Sequence, residues 1–126
     1  MIGINIQAPF AELLLSLEKC VETRTYPLPE KYEGEELALI ETPGKTGKFK
    51  ARIIGTITFS HSFQYQDMQE WISDYNRHRV EQESNFGWNE DKDTYGWETL
   101  EEAKNMQVGS MLFLSEGVNA GEGLMN

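Results

Sequence analysis

The chain reads as a small α+β domain, a mixed β-barrel with two main helices. Three observations predict this. With 126 residues it is one domain that has room for a hydrophobic core. Short alternating runs and two apolar stripes at helical spacing follow the order β-α-β-β-β-α-β-β. One of those runs is long and carries a central glycine, Gly55, the mark of a strand that bends as strands do at barrel corners.

Each element has its own local signal. Residues 2–6 form a short first strand. Pro9 suits the first position of a helix, and Phe10, Leu13, Leu14 and Leu17 recur at helical spacing as one buried stripe. The next strand covers Cys20 to Tyr26. Pro27 and Pro29 end it, and a polar connection runs to Gly34. Glu36 to Thr42 is a third strand, closed by Pro43-Gly44 and a turn rich in glycine and lysine. In the fourth, Phe49, Ala51, Ile53, Gly55, Ile57 and Phe59 face one way, while Lys50, Arg52, Thr56 and Thr58 face the other.

A second helix is expected from Asp67 to Arg79. Asp67 followed by Glu70 resembles a capping box, and Met68, Trp71, Ile72 and Tyr75 form the buried stripe. Residues 81–93 are polar and acidic, a surface loop around Phe86 and Trp88. Strands follow at Tyr95 to Leu100 and at Ser110 to Leu114. The domain is expected to span residues 1–116, with residues 117–126 as a flexible, glycine-rich tail.

Charge bounds the partners. A formal net charge of −10 is a poor design for gripping duplex DNA, because such affinity comes largely from lysine and arginine meeting phosphates. The charge is uneven, however. Lys45, Lys48, Lys50 and Arg52 cluster without an acid, whereas residues 81–102 hold Glu81, Glu83, Glu90, Asp91, Asp93, Glu98, Glu101 and Glu102 against Lys92 alone. A small basic region on an acidic chain suits a nucleotide or a short single strand. No apolar run is long enough for a membrane span, and no signal peptide is visible. The single cysteine, Cys20, points to a reducing, cytoplasmic setting.

The most informative stretch is Lys19-Cys20-Val21-Glu22-Thr23-Arg24-Thr25-Tyr26. On an extended strand Glu22, Arg24 and Tyr26 project from one face. A carboxylate, a guanidinium and an aromatic on one short strand are costly to bury without a purpose. Lys19 reads either as a solvated lysine favouring the negative end of a helix or as a contact to a phosphate or carbonyl oxygen. Glu22 and Arg24 read either as an exposed charge pair, worth about 0.2–1 kcal/mol, or as a base acceptor with a phosphate-binding or stacking partner.

These residues resemble the ASCH domain family of the PUA-like β-barrel group, whose signature is Gly-x-Lys-x-x-Glu-x-Arg. Lys19, Glu22 and Arg24 match at the correct spacing, and Leu17 stands where the family usually has glycine. Ala8-Pro9-Phe10 leading into a Leu-rich helix, Lys31-Tyr32-Glu33-Gly34 before an apolar strand, and Tyr95-Gly96-Trp97 look like further family features. The last is similar to a Tyr-Gly-Trp of many phage and bacterial members. The resemblance implies a PUA-like barrel whose cleft, lined by the signature, holds RNA, a short single strand or a modified nucleoside.

Lys19, Glu22 and Arg24 read as the polar wall of that cleft, and Tyr26, Tyr95 and Trp97 read either as stacking faces beside it or as core packing. Lys50 and Arg52 offer a phosphate track. Some small family members are amidohydrolases acting on acetylated cytidine, and others are ribonucleases. An enzyme of this fold would use Lys19 and Glu22 catalytically. The amidohydrolase pattern has a threonine nucleophile where this chain has Glu22, and Thr23 and Thr25 lie on the opposite strand face. No cofactor is expected. His61 and His78 lack ligand spacing, so no metal is expected either, and His78 between Arg77 and Arg79 reads as a surface residue. Cys20 reads as an ordinary half-buried thiol. A further alternative is a protein-interaction domain whose acidic 81–102 segment contacts a partner.

Overall fold

The computed structural model describes residues 1–44, 47–105 and 123–125. In chain order these form β1 (Ile2–Gln7), α1 (Phe10–Leu15), β2 (Val21–Arg24), a 3-10 turn (Glu30–Tyr32), β3 (Glu36–Thr42), β4 (Arg52–Tyr65), α2 (Met68–Ser73), α3 (Tyr75–His78), β5 (Thr94–Thr99), α4 (Leu100–Asn105) and β6 (Gly123–Met125). The class is α+β, as expected. The strands make one mixed sheet in the order β2-β5-β4-β3-β1-β6. β1 runs parallel to β3 and to the short β6, and the other neighbours are antiparallel. The edge strands β2 and β6 share no ladder, so the sheet of the described residues is not closed into a barrel. The expected strand at Ser110 to Leu114 and the boundary near residue 116 lie outside the described residues. No helix among those residues is long and apolar enough to cross a membrane.

The bend comes from β4, which serves two neighbours in turn. Its first half pairs with β3 and its second with β5. Two register shifts break it. Leu39 faces Gly55 but Ile40 faces Ile53, leaving Ile54 extra, and Phe59 faces Thr99 but His61 faces Glu98, leaving Ser60 extra. Each extra residue kinks the strand and adds twist. The first shift also inverts the expected face. Below it, Ile54 packs on the core while Ile53 is 50% exposed and Ala51 is exposed, so the alternation holds only from Gly55 to Phe59. At Gly55 a Cβ would lie 2.7 Å from Leu15 Cδ1, so this glycine lets α1 close on the sheet.

Two apolar clusters result. The larger gathers Ile4, Ile6, Leu14, Leu37, Leu39, Phe59 and Trp97 between α1 and the sheet. The smaller joins Tyr65, Trp71 and Val80, with Trp88 packed against them.

The helices are shorter than the sequence predicts. α1 ends at Leu15 because Leu17 turns left-handed (φ 68°); its N–H bonds Leu14 O, and Lys19 N–H bonds Leu13 O. Leu17 is 47% exposed and leaves the expected stripe. The expected 67–79 helix breaks at Asp74 into α2 and α3. Its N-terminus is capped as read: Asp67 accepts from Glu70 N–H at 2.8 Å, and Glu70 Oε1 accepts from Gln66 N–H at 3.2 Å. Asp74 ends α2 because its carboxylate is taken by Tyr65 Oη (2.5 Å) and Arg77 (2.8 and 3.1 Å). Ile72, expected inside, is 43% exposed, and the buried place goes to His78.

Candidate functional site

The unclosed seam is where the charged stretch lies. A cleft of about 340 Å³ opens between β1 and β2, lined by Asn5, Ile6 and Gln7, by Glu22 to Tyr26, and by Phe10, Lys19, Thr42, Val80 and Phe86. Arg24 spans the seam, its Nη2 donating to Asn5 O at 2.8 Å. Among the described residues, the strand phase leaves further backbone groups there without a ladder partner. Thr99 N–H donates to Cys20 O (3.0 Å) across the β2–β5 ladder, so the even residues of β2 face β5. Thr23 therefore turns its N–H and C=O to the open edge.

Lys19 is carried inward by the reversal at Leu17, and it is fully buried. A solvated lysine at a helix end is excluded. Its Nζ donates to His78 O at 2.5 Å, lies 3.6 Å from Glu22 Oε1, and sits 4.9 Å from the centre of the Phe10 ring. Burial lowers its pKa, and Glu22 acts against that shift.

Glu22, 8% exposed, is shared by two cations, since its Oε2 also accepts from Arg24 Nε at 3.0 Å. Arg24 Nη1 donates to Tyr26 Oη at 3.3 Å. Burial alone would pull the Arg24 guanidinium down, but Glu22 and then Tyr26 outweigh it and its pKa rises. The expected alternation of Glu22, Arg24 and Tyr26 is thus realised as one connected polar wall. The cleft lining holds two cations and one carboxylate, on a chain whose formal net charge is −10.

Trp97 and Tyr95 take other places. Trp97 is fully buried, donates from Nε1 to Tyr26 O (3.1 Å), and meets Tyr26 and Phe59 edge-on at 5.6 and 5.5 Å. Its ring lies under the Arg24 guanidinium at 5.5 Å. It supports the wall from below and offers no free stacking face, which decides for the core between the two readings the sequence leaves open. Tyr95 packs against the same core cluster and does not line the cleft. Nor do Lys50 and Arg52. Lys50 is exposed, and Arg52 pairs with buried Glu41 at 2.9 Å and covers the Phe49 ring at 4.5 Å.

His78 is not a surface residue. Its ring is fully buried and stacks on Trp71 at 4.5 Å. Nδ1 accepts from Val80 N–H (2.9 Å), so Nε2 carries the proton donated to Trp71 O (2.7 Å). Burial lowers its pKa and favours this neutral form. Arg77 anchors the same turn through Asp74 and through Glu98 at 2.5 Å, and its backbone O accepts from Cys20 N–H at 2.9 Å. Those bonds fix the carbonyl that receives Lys19. Cys20 itself is buried, and its thiol is pushed up to about 11, first by desolvation and then by Glu102. It is an unreactive thiol at neutral pH.

Two aromatic residues of the cleft escape a sequence reading. Phe10 looked like part of a buried stripe, yet it faces both the cleft and Lys19. Phe86, 49% exposed on the 81–93 loop, meets Phe10 edge-on at 5.9 Å and lines the cleft mouth. An aromatic residue in an otherwise polar loop was its only signal. Among the described residues, no group of three or more His, Cys, Asp or Glu side chains could hold a metal ion. The chain matches no family model and has no significant counterpart among curated proteins.

Proposed function

We propose that the chain is an ASCH-like module that holds an RNA segment, a nucleotide or a modified nucleoside in the cleft between β1 and β2. The observation that carries this reading is the convergence of Lys19, Glu22 and Arg24 on one concave site, with Lys19 fully buried. A buried lysine carries a desolvation cost that pairing with Glu22 and the His78 carbonyl only partly offsets, and a ligand site gives that cost a use. Leu17 adds support: the position where the family usually has glycine has a φ of 68°, a conformation glycine adopts readily. In this reading the curved sheet is a PUA-like barrel with an open seam. Glu22 accepts from a base amino group, Arg24 and Lys19 donate to oxygen atoms, and Phe86 and Tyr26 supply stacking surface.

The test is a calorimetric screen of ribonucleosides, ribonucleotides and short single-stranded RNA against wild type and Arg24→Gln. Loss of the charged donor is expected to weaken the best ligand by about tenfold or more. Affinity that survives Arg24→Gln unchanged, or no binding by any member of the panel, overturns the proposal. Steep weakening with salt marks phosphate contacts, whereas a salt-independent nucleoside marks a small pocket.

A hydrolase of the same fold is the second reading. It is favoured by one feature, a lysine of lowered pKa 3.6 Å from a carboxylate. Incubation with acetylated cytidine and with single-stranded RNA, with Glu22→Gln as control, decides it. Turnover that Glu22→Gln abolishes supports it, and no turnover at micromolar enzyme removes it for those substrates.

A further inference from the structure

The cleft does not end at Phe86. A second cavity of about 250 Å³ adjoins it, lined by Thr23, Arg24, Thr25, Asn85, Phe86, Gly87, Asn89, Lys92 and Thr94. Thr23, Arg24, Thr25 and Phe86 belong to both linings, so the two spaces wrap around the open edge of β2. No carboxylate lines the second one. That selectivity is informative, because the loop that builds it carries Glu81, Glu83, Glu90, Asp91 and Asp93. Glu90 is turned to Trp88 Nε1 at 2.7 Å. The cation of this loop, Lys92, lines the cavity instead, and no hydrogen bond or ion pair engages its ammonium group among the described residues. Asn89 accepts from Asp91 N–H with its Oδ1 (2.9 Å), which leaves its amide NH₂ to donate. The Thr23 N–H lies on the same open edge.

We infer that this second cavity is a phosphate subsite. It takes a phosphate ester attached to the group held in the main cleft, between Lys92 on one side and Arg24 with the β2 edge on the other. Cations, amide and hydroxyl donors, and an unpaired strand edge, with carboxylates absent, are the features that recognise a phosphate oxygen. The inference rests on the cleft reading above and deepens it. The ligand is a nucleotide or a linked pair of nucleotides, and a free nucleoside fills only half of the site.

The experiment measures affinities of wild type and Lys92→Gln for the four common ribonucleosides, their 5′- and 3′-monophosphates, and dinucleoside monophosphates. Lys92 is exposed, so Lys92→Gln is expected to fold as wild type, which a thermal melt checks. At least one phosphorylated form should bind about tenfold more tightly than its nucleoside, and Lys92→Gln should erase that gain while leaving the nucleoside affinity unchanged. The arm that shows the gain identifies the source as a 5′-phosphate, a 3′-phosphate or an internal phosphodiester. Equal binding of nucleosides and phosphorylated forms, or a gain that survives Lys92→Gln, overturns the subsite and leaves the cleft reading standing. No binding by any of these ligands also overturns the subsite, and the screen with single-stranded RNA then decides the cleft reading separately.

Discussion

Glu22→Gln isolates the electrostatics of the cleft. The carboxylate is 8% exposed and holds Arg24 Nε at 3.0 Å and Lys19 Nζ at 3.6 Å. Removing one partner of a buried ion pair costs about 3–5 kcal/mol, because the other charge is left uncompensated. Arg24 keeps Asn5 O and Tyr26 Oη, and a glutamine oxygen still accepts from its Nε. Lys19 keeps only the His78 carbonyl and the face of Phe10. The lower end of the range therefore applies, about 3 kcal/mol, or a fall of roughly 10 °C in Tm for a chain of this size.

The deficit has a pH signature. Burial lowers the Lys19 pKa from 10.5 and Glu22 raises it in part, so the variant lowers it further. Between a depressed folded pKa and 10.5, the unfolded chain binds a proton that the folded chain does not, so stability rises with pH across that window. In Glu22→Gln the window opens at lower pH, and the deficit shrinks with rising pH by at most about 1.4 kcal/mol per unit. Urea denaturation of wild type and variant at several pH values from about 6 to 10 reads it directly, through midpoints at unchanged m. Adding Lys19→Met should recover stability relative to Glu22→Gln alone, since a neutral pair replaces an orphaned charge. A deficit below about 1 kcal/mol that is flat in pH would refute the reasoning, because Lys19 would then not be held as a charge against Glu22.

Leu17→Gly should stabilise the fold by about 1 kcal/mol in the same denaturation assay, because it relieves a left-handed residue whose side chain is largely exposed. Trp97→Phe should cost about 3 kcal/mol, since it leaves a void and deprives Tyr26 O of its donor. Trp71→Phe should cost at least about 1 kcal/mol less, because Trp71 Nε1 is buried without a partner and its removal orphans nothing. Equal costs for the two tryptophans would contradict that assignment.

The legible parts of this chain were those whose cause is local. Glu22 and Arg24 share a face because strand periodicity requires it within β2, and the Asp67–Glu70 cap closes within three residues. The misread parts depend on distant partners. Ile53 follows the alternation of its own strand, yet the extra residue at Ile54 is set by pairing with β3 and turns Ile53 outward. Lys19 leaves two readings open, a helix-ending lysine or a contact to an oxygen, and the carbonyl that decides between them lies 59 residues away. His78, flanked by two arginines, reads as surface, although the ring that covers it belongs to Trp71 only seven residues earlier. Lys50 and Arg52 cluster in sequence, but Arg52 is claimed by Glu41 across the sheet.

Among the described residues β1 and β2 are not paired, and the cleft lies between them. Had β1 and β2 paired, their backbone groups would satisfy one another and the space between them would vanish. Instead β2 is four residues long, and among the described residues the backbone of Thr23 faces an edge with no strand partner. Open edges invite unwanted strand pairing, and charged side chains on the edge are one way chains prevent it. Here Arg24 crosses the gap to Asn5 O, and Lys19 and Glu22 stand behind it. An edge guarded only against aggregation would keep its charges in solvent, where they cost little. These are withdrawn, Lys19 completely, at an energetic cost that a neutral, well-packed pair would avoid. Among the described residues, the buried cations therefore stand at an open part of the ladder, which is the arrangement the proposed binding reading requires.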